Sequence, residues 1–427
     1  MLVNLAYGRK GLTVNIPETA DVLKTHFVPG LADEAGALRE ALRNPISSSP
    51  LRDLVKRGDR VVVVHTDITR ATPNDRILPV LLEELESAGV NRQDIILLNG
   101  LGTHRQQTAA ELRAMLGDYI VENYRCIQHD CHDRENLVSL GETSLGHPVR
   151  INRVYLEADI RILTGFIEPH FFAGFSGGPK AVLPSLAGYE SVFTNHGHQM
   201  ISHPRATWGI TKSNPIWEEM CEVALRTEPT FLLNVSLNAR REITGVFAGD
   251  MLAAHSMGCE FVGASAMVAV DEPYDIVITT NSGYPLDQNL YQSVKGMSAA
   301  SRVVKEGGAI LIATACEDGL PEHGKYADLL AEAGSPAAIL EMVAQPDFSV
   351  QDQWQVQLQA QIQMKAEVYV YSEGLSKAQI EHALLIPCGD IVKTLKELMQ
   401  KYEPQARLCV IPEGPQVIPF LEKQDEQ

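Results

Sequence analysis

Between Gly165 and Lys180 the chain reads Gly165-Phe166-Ile167-Glu168-Pro169-His170-Phe171-Phe172-Ala173-Gly174-Phe175-Ser176-Gly177-Gly178-Pro179-Lys180, and His196 follows sixteen residues later. Within about thirty residues this supplies a candidate base, a lysine in a glycine-rich turn and a histidine of the metal-binding kind, a set suited to covalent or metal chemistry. Gly174, Gly177 and Gly178 let the backbone approach a ligand closely, and Pro179 suits the first position of a helix beginning near Lys180. A helix N-terminus favours anions and disfavours an ammonium, so Lys180 placed there tends toward its neutral, nucleophilic form. The plainer alternative is a tight turn with a solvated lysine, since the pattern is neither the P-loop nor the dinucleotide fingerprint.

The elements that must position these residues are β-branched runs alternating with helical patterns. The runs are Val61–Val64, Ile95–Leu98, Ile160–Leu163, Phe231–Val235, Ile276–Thr279, Ala309–Ile312 and Val368–Tyr371; helical stretches include Arg76–Ser87, Asn214–Arg226 with Asn214 as N-cap, and Ile391–Lys401. Such alternation predicts an α/β protein of two domains with largely parallel sheets flanked by helices. The charged, proline-containing segment Asp271-Glu272-Pro273-Tyr274 divides the series into residues 1–270 and 271–427, with the last twenty or so residues free to pack back on the first domain and the Glu422–Gln427 tail expected to fray.

Ligands bind outside the carboxyl ends of strands in open α/β sheets. Val61–Val64 leads into Asp67 and Arg70, Ile95–Leu98 into Gly102-Thr103-His104-Arg105, and Ile160–Leu163 into the segment bearing His170, so one sheet edge collects Asp67, Arg70, His104 and His170. In the second domain, Tyr291, Gln292 and Lys295 fall on one helical face and could grip a carboxylate, although Gln and Lys are also ordinary helix-surface residues. His129-Asp130-Cys131-His132-Asp133 contains metal-type ligands, but consecutive residues cannot all face one ion, and a polar turn after a Tyr119–Ile127 strand is expected. Most histidines bind nothing, His196, His198 and His203 included unless their setting says otherwise.

A net charge of −18 and a pI near 5.2, with no Lys/Arg run, exclude nucleic acid as a partner and leave small molecules or copies of the chain itself. Seven scattered cysteines without a CxxC pair suit reduced thiols, and neither a signal-like start nor an eighteen-residue apolar run occurs, so a soluble cytoplasmic protein without membrane contact is expected.

Taken together, Asp67-Ile68-Thr69-Arg70, Gly102-Thr103-His104-Arg105, His170 with Gly177-Gly178-Pro179-Lys180 and Asn195-His196, and Tyr291-Gln292-Ser293-Val294-Lys295-Gly296 resemble the lactate racemase family over essentially the whole chain. The resemblance implies an isomerase acting on a small 2-hydroxy acid at an interdomain cleft, with a nickel-pincer nucleotide built by cofactor-synthesis proteins. By the same resemblance Lys180 tethers the cofactor covalently beside Gly177 and Gly178, His196 is the protein ligand to nickel, and His104 and His170 form an acid/base pair. Arg70, Gln292 and Lys295 hold the substrate carboxylate, Asp67 orients a neighbour, and Tyr291 and Trp354 line the site; Trp354, on the amphipathic Gln351–Lys365 segment, could equally be core. Closure of the cleft around a bound acid is expected.

The family pattern has Thr-Arg-Pro after the aspartate where this chain has Thr69-Arg70-Ala71-Thr72-Pro73, which keeps the arginine and loosens its loop. Lactate is the first substrate to consider, followed by malate, bulkier hydroxy acids and sugar acids. Two other readings use part of the same set. A lysine Schiff-base lyase would employ Lys180 on a carbonyl compound without metal, and a non-catalytic nickel or nucleotide carrier would keep Lys180 and His196 without needing His104, His170, Arg70 and Lys295.

Overall fold

The computed structural model describes residues 1–321, 324–346, 348–402 and 405–422. Among them the α/β architecture is realised as two six-stranded sheets. The first runs in the order Ile243–Gly249, Phe231–Leu237, Ile160–Phe166, Val61–Thr66, Ile95–Gly100, Arg125–Gln128, parallel throughout except for the antiparallel edge strand Ile243–Gly249. The second, all parallel, runs Ile386–Pro387, Ala366–Tyr371, Val304–Ala313, Tyr274–Thr280, Leu408–Ile411, Asp21–Val22. The distal tail at 423–427 lies outside the described residues.

Each β-branched run of the sequence sits inside one of these strands because both sheet faces are covered. Val61 and Val63 enter one core with Ile95, Leu97, Ile160 and Ile162, while Val62 and Val64 enter another with Leu98 and Leu163. A strand buried on both faces has no polar alternation and reads as a continuous apolar run. The core that takes Val62 and Val64 also takes Val277, Ile310, Ile312 and Ile411 from the second sheet, so the two sheets share one interior.

Residues 1–23, which precede the first sheet in the chain, lie with the second. The hairpin Leu2–Leu5/Leu12–Asn15 packs Val3, Leu5 and Val14 against Ile276, Ile278 and Leu311, and Asp21–Val22 extends that sheet. Near the boundary segment, Met267–Val270 pairs in parallel with Ile418–Leu421.

Two expected elements differ. Asp118–Asn123 is a helix, and only Arg125–Gln128 is extended. Gly117, at φ 85, ends the helix Ala109–Leu116 and lets a new one start, which buries Ile120 and Tyr124 one helical turn apart. Gln353–Lys365 is helical but not amphipathic, with Gln353, Gln355, Gln357 and Gln359 buried along with Trp354, Val356 and Leu358. The helix packs on the strands Val304–Ala313 and Ala366–Tyr371 and on the short helix His198–Ile201, and its amides bond to both sides: Gln357 Nε2 donates to the His198 carbonyl at 3.2 Å and to Ser202 Oγ at 2.9 Å, and Gln359 Nε2 to the Ala383 carbonyl at 2.8 Å.

The helix Leu290–Ser301 is set against the second sheet by a close backbone approach. A Cβ on Gly296 would meet the Thr280 carbonyl oxygen at 2.1 Å, and one on Gly414 would meet the same atom at 2.3 Å. Gly296→Ala is therefore expected to lower unfolding stability by about 1–3 kcal/mol in denaturant titrations, through overpacking. Gly389→Ala, where an added Cβ meets nothing within 4 Å, should stay within about 0.5 kcal/mol of the parent. Equal effects at the two positions would refute this account of the contact.

Candidate active site

Three consecutive strand ends of the first sheet and one helix of the second converge on a single cavity. It is lined by Asp67 and Arg70 after Val61–Thr66, by His104 after Ile95–Gly100, by His170 after Ile160–Phe166, and by Lys180 and His196. Tyr291, Gln292 and Lys295 enter from the helix Leu290–Ser301 and Trp354 from Gln353–Lys365. All the sequence-derived side chains thus meet, with two exceptions. Gly177 and Gly178 lie behind the wall, where added Cβ atoms would strike Asn234 Oδ1 and the His255 ring at 2.5 Å; their positive φ and close packing explain the glycines.

The turn into His170 also depends on glycine. His170 pairs with Gly174 in a two-residue antiparallel contact, and at φ 76 a Gly174 Cβ would lie 2.4 Å from the Ile210 carbonyl oxygen. Asn214, the N-cap of Pro215–Arg226, fastens this turn by donating Nδ2 to the carbonyls of Phe172 and Ile210, each at 2.9 Å. The Arg70 loop is tighter than its sequence suggested. Thr66 Oγ1 donates to Thr72 Oγ1 at 2.7 Å, while Pro73 precedes the helix Asn74–Ser87 as its cap.

Lys180 lies within a four-residue 3-10 turn, Gly178–Ala181, rather than opening an α-helix, so a helix dipole is not what governs its amine. Burial holds its pKa well below the usual lysine value, and the positive charges of Arg70 and Lys295 lower it further, against a small opposing pull from Glu168. No hydrogen bond engages the amine among the described residues, and its Nζ lies 5.5 Å from the Phe172 ring centre. Lys295 donates to Gln292 Oε1 at 2.6 Å and is lowered to about 7 by burial and by Arg70.

The histidines are prepared differently. Asp67 Oδ2 can only accept, so the 2.5 Å contact fixes the proton of His104 on Nδ1 and leaves Nε2 with its lone pair. Asp67 is itself held by Thr69 Oγ1 at 2.8 Å; burial pushes its carboxyl up, and His104, Arg70 and Thr69 together bring it below the ordinary carboxylate value. His170 is kept neutral first by burial, with the positive charges of Arg70 and Lys295, and of Lys180 whenever it is protonated, acting the same way; its Nδ1 accepts from Ala173 N–H at 3.3 Å, which puts its proton on Nε2. His196 is likewise neutral through burial and Lys180; its Nδ1 is buried without a hydrogen-bond partner, and the ring stands edge-on to Phe172 and Trp354, centres 4.9 and 5.4 Å away.

Trp354 is wall as well as core, donating Nε1 to Tyr291 Oη at 2.9 Å. Sequence reasoning assigned no role to Glu168, yet this buried carboxylate is 3.8 Å from the Arg70 guanidinium and accepts from Gln416 Nε2 at 3.1 Å. Its signal was an acid two residues past the end of the strand Ile160–Phe166, at the same carboxyl edge as His170. The His129 segment forms a turn, as expected; His129 spends both nitrogens on Ala187 O and Asn152 Nδ2, and no group of three or more His, Cys, Asp or Glu able to hold a metal occurs among the described residues. All seven cysteines are free, and no described helix is long and apolar enough to cross a membrane.

Comparison with known proteins places this geometry. The family model for the lactate racemase N-terminal domain matches residues 7–209, and that for the lactate racemase C-terminal domain matches residues 269–419. Lactate racemase of Thermoanaerobacterium thermosaccharolyticum is 34% identical over 97% of this chain and 98% of its own length; that of Lactiplantibacillus plantarum is 38% identical over 90% and 91%. The apoprotein structure of the Thermoanaerobacterium enzyme superposes with a TM-score of 0.89, covering 98% of this chain and 100% of the other. A Thermotoga maritima structure at 20% identity and TM-score 0.70, covering 93% of this chain and all of its own, shares the fold. The chain belongs to the lactate racemase family, and the protein is an isomerase of the racemase type.

Proposed function

We propose that the protein inverts the configuration of a small 2-hydroxy acid, lactate first, with a nickel-pincer nucleotide tethered to Lys180. The observation that carries this reading is the meeting, in one buried cavity, of an unengaged neutral amine, two cations and three histidines. The cavity fits the cofactor. A covalent tether needs an uncharged amine, the form toward which burial and Arg70 push Lys180, and His196 has a neutral imidazole suited to a metal. With no multi-residue metal cluster among the described residues, His196 would be the protein ligand and the remaining donors would come from the cofactor. The chemistry such a group supplies when bound is reversible acceptance of a hydride from the substrate's Cα.

The chain's own residues do the rest. Arg70 and Lys295 hold the carboxylate, and Gln292, bonded to Lys295, fixes the angle of that ammonium. Asp67 orients His104 so that its Nε2 takes the hydroxyl proton, while His170 presents a proton on Nε2 from another strand end. Phe171, Phe172 and Trp354 exclude water from the reacting carbon.

Protein produced together with cofactor-synthesis proteins should show an adduct at Lys180 by intact mass and peptide mapping, about one nickel per chain, and inversion of lactate in a chiral assay. An unmodified Lys180 without nickel, in a host that loads a known lactate racemase, would sink the proposal and turn attention to borohydride trapping of a carbonyl substrate. Because Lys295 is charged below about 7 and must be charged to hold a carboxylate, kcat/KM should fall as pH rises through that value. Lys295→Arg should flatten this limb, since a guanidinium stays protonated; an identical limb in the variant would refute the assignment. Asp67→Asn should lower kcat about a hundredfold or more with the Lys180 adduct intact, and should leave His104 divided between tautomers in 15N imidazole spectra. A retained Nδ1–H signal with full kcat would show that Asp67 does not direct the proton.

A further inference from the structure

Glu168 lies outside the lining of the cavity that Arg70 enters, is only 4% exposed, and turns its two oxygens to different domains. Oε1 is 3.8 Å from Arg70 Nη1, an atom buried without a hydrogen-bond partner among the described residues, so charge alone holds the guanidinium on that side. Oε2 accepts from Gln416 Nε2 at 3.1 Å. The backbone beneath this carboxylate is fixed. Glu168 N–H donates to Ser176 Oγ at 3.0 Å, Ser176 N–H returns to the Glu168 carbonyl at 2.9 Å, and Ser176 Oγ donates to the Phe166 carbonyl at 2.9 Å. The turn Gly414–Gln416 is fastened as firmly to the second sheet. Just before it, the Pro412 carbonyl accepts from Ala6 N–H at 3.0 Å and from Thr280 Oγ1 at 2.8 Å. A Cβ on Gly414 would press on the Thr280 carbonyl and lie 3.2 Å from the Cα of Gly296, the residue after Lys295.

We propose that Glu168 is a positioning residue that aims Arg70 into the cavity and, through Gln416, sets the span between Arg70 and Lys295. The inference rests on the racemase reading, in which those two cations grip the substrate carboxylate from opposite domains. Arg70 follows a strand of the first sheet and Lys295 rides a helix packed on the second, so their separation is that of the domains unless a contact fixes it. The contacts running from Arg70 through Glu168, Gln416 and Gly414 to Gly296 are such a link. A carboxylate suits its centre because it accepts on both sides. An amide held by Gln416 through its oxygen would turn N–H groups toward a guanidinium that can only donate. Charge balance alone is the rival account, and it differs in sign. An anion beside the site repels an anionic substrate, so a Glu168 that merely offset Arg70 would weaken binding, and its neutralisation would tighten it.

The test compares Glu168→Gln and Gln416→Leu with the parent holoenzyme in lactate inversion, with the Lys180 adduct verified by mass and folding checked by thermal unfolding. Measured below the alkaline limb of kcat/KM, Glu168→Gln should raise KM at least about tenfold while kcat falls less than about threefold, since a carboxylate grip is felt alike in ground and transition states. Beyond its burial, Lys295 feels Arg70, Glu168 and Asp67, so losing the Glu168 charge should also move that limb to lower pH. Gln416→Leu keeps the charge and removes only the link; KM should rise about threefold with the limb unmoved. This variant decides the matter if Glu168→Gln does not fold. A fall in KM for Glu168→Gln would overturn the proposal in favour of charge balance, and a parental KM in Gln416→Leu would overturn the link between domains. Losses confined to kcat in both variants would overturn it too, by reducing the pair to a structural role. All three outcomes leave the racemase reading standing. A parent that inverts no 2-hydroxy acid despite the adduct would bring down that reading, and the positioning role with it.

Discussion

The crowding of Arg70, Lys180 and Lys295 into one buried space is the constraint on which the site depends. A guanidinium does not give up its proton in a protein, so the electrostatic cost of this crowding falls on the two lysines. Lys295 drops to about 7 and Lys180 well below its usual range, burial being the larger cause in both and Arg70 next. Glu168 and Asp67 offset part of the charge without cancelling it, because Asp67 is already committed to His104 and Glu168 lies 3.8 Å from Arg70 while also bonding Gln416. One fixed cation therefore biases the amine beside it toward its neutral form and leaves a second lysine poised to gain or lose its charge near neutral pH. An exposed lysine on a glycine loop could offer neither.

Holding those groups at fixed spacing falls to the packing. The two sheets share one apolar interior, and side chains from both sides of the cavity are anchored in it. Polar contacts then tie the halves together around the site: Trp208 Nε1 to Ser298 Oγ at 3.1 Å, Gln357 Nε2 to Ser202 Oγ at 2.9 Å, and Gln416 to Glu168. The Gly296–Thr280–Gly414 approach sets the depth at which Gln292 and Lys295 enter, since these residues precede Gly296 on the same helix. A few tenths of an ångström at that contact would shift Gln292 and Lys295 in the cavity, which is why a glycine belongs there.

The fold class was readable because strands buried on both faces leave uninterrupted β-branched runs, and most of the site was readable because polar residues follow those runs at the strand ends. What could not be read depended on contacts far apart in sequence. Residues 1–23 give no local sign that they lie with the second sheet, since that follows from pairing Asp21–Val22 with Leu408–Ile411. The glutamines of Gln353–Lys365 suggested one polar face of an amphipathic helix, and their burial makes sense only once the ends of two other helices supply partners, His198 and Ser202 to Gln357 and Ala383 to Gln359. Gly177 and Gly178 suggested a ligand cradle because glycine marks close approach without saying to what; here it is Asn234 and His255. The neutrality of Lys180 was expected from a helix dipole, but its source is burial beside Arg70, more than a hundred residues away.

The unequal preparation of the two histidines bears on how a reaction that must run both ways can proceed. On the proposed reading, each enantiomer presents its hydroxyl to a different imidazole, and each imidazole must be able to accept a proton. His104 is ready, because its proton is fixed on Nδ1 by a short bond to a buried carboxylate that is itself held by Thr69. His170 carries its proton on Nε2, held there only by a 3.3 Å bond from the Ala173 N–H to Nδ1. A bond of that length is weak, so moving the proton from Nε2 to Nδ1 gives up little stabilisation, whereas the same change at His104 would set a lone pair against a carboxylate. The firm partner and the loose one thus allow the cavity to alternate roles by altering His170 alone. The asymmetry lies in the hydrogen bonds of the protein, before any substrate arrives.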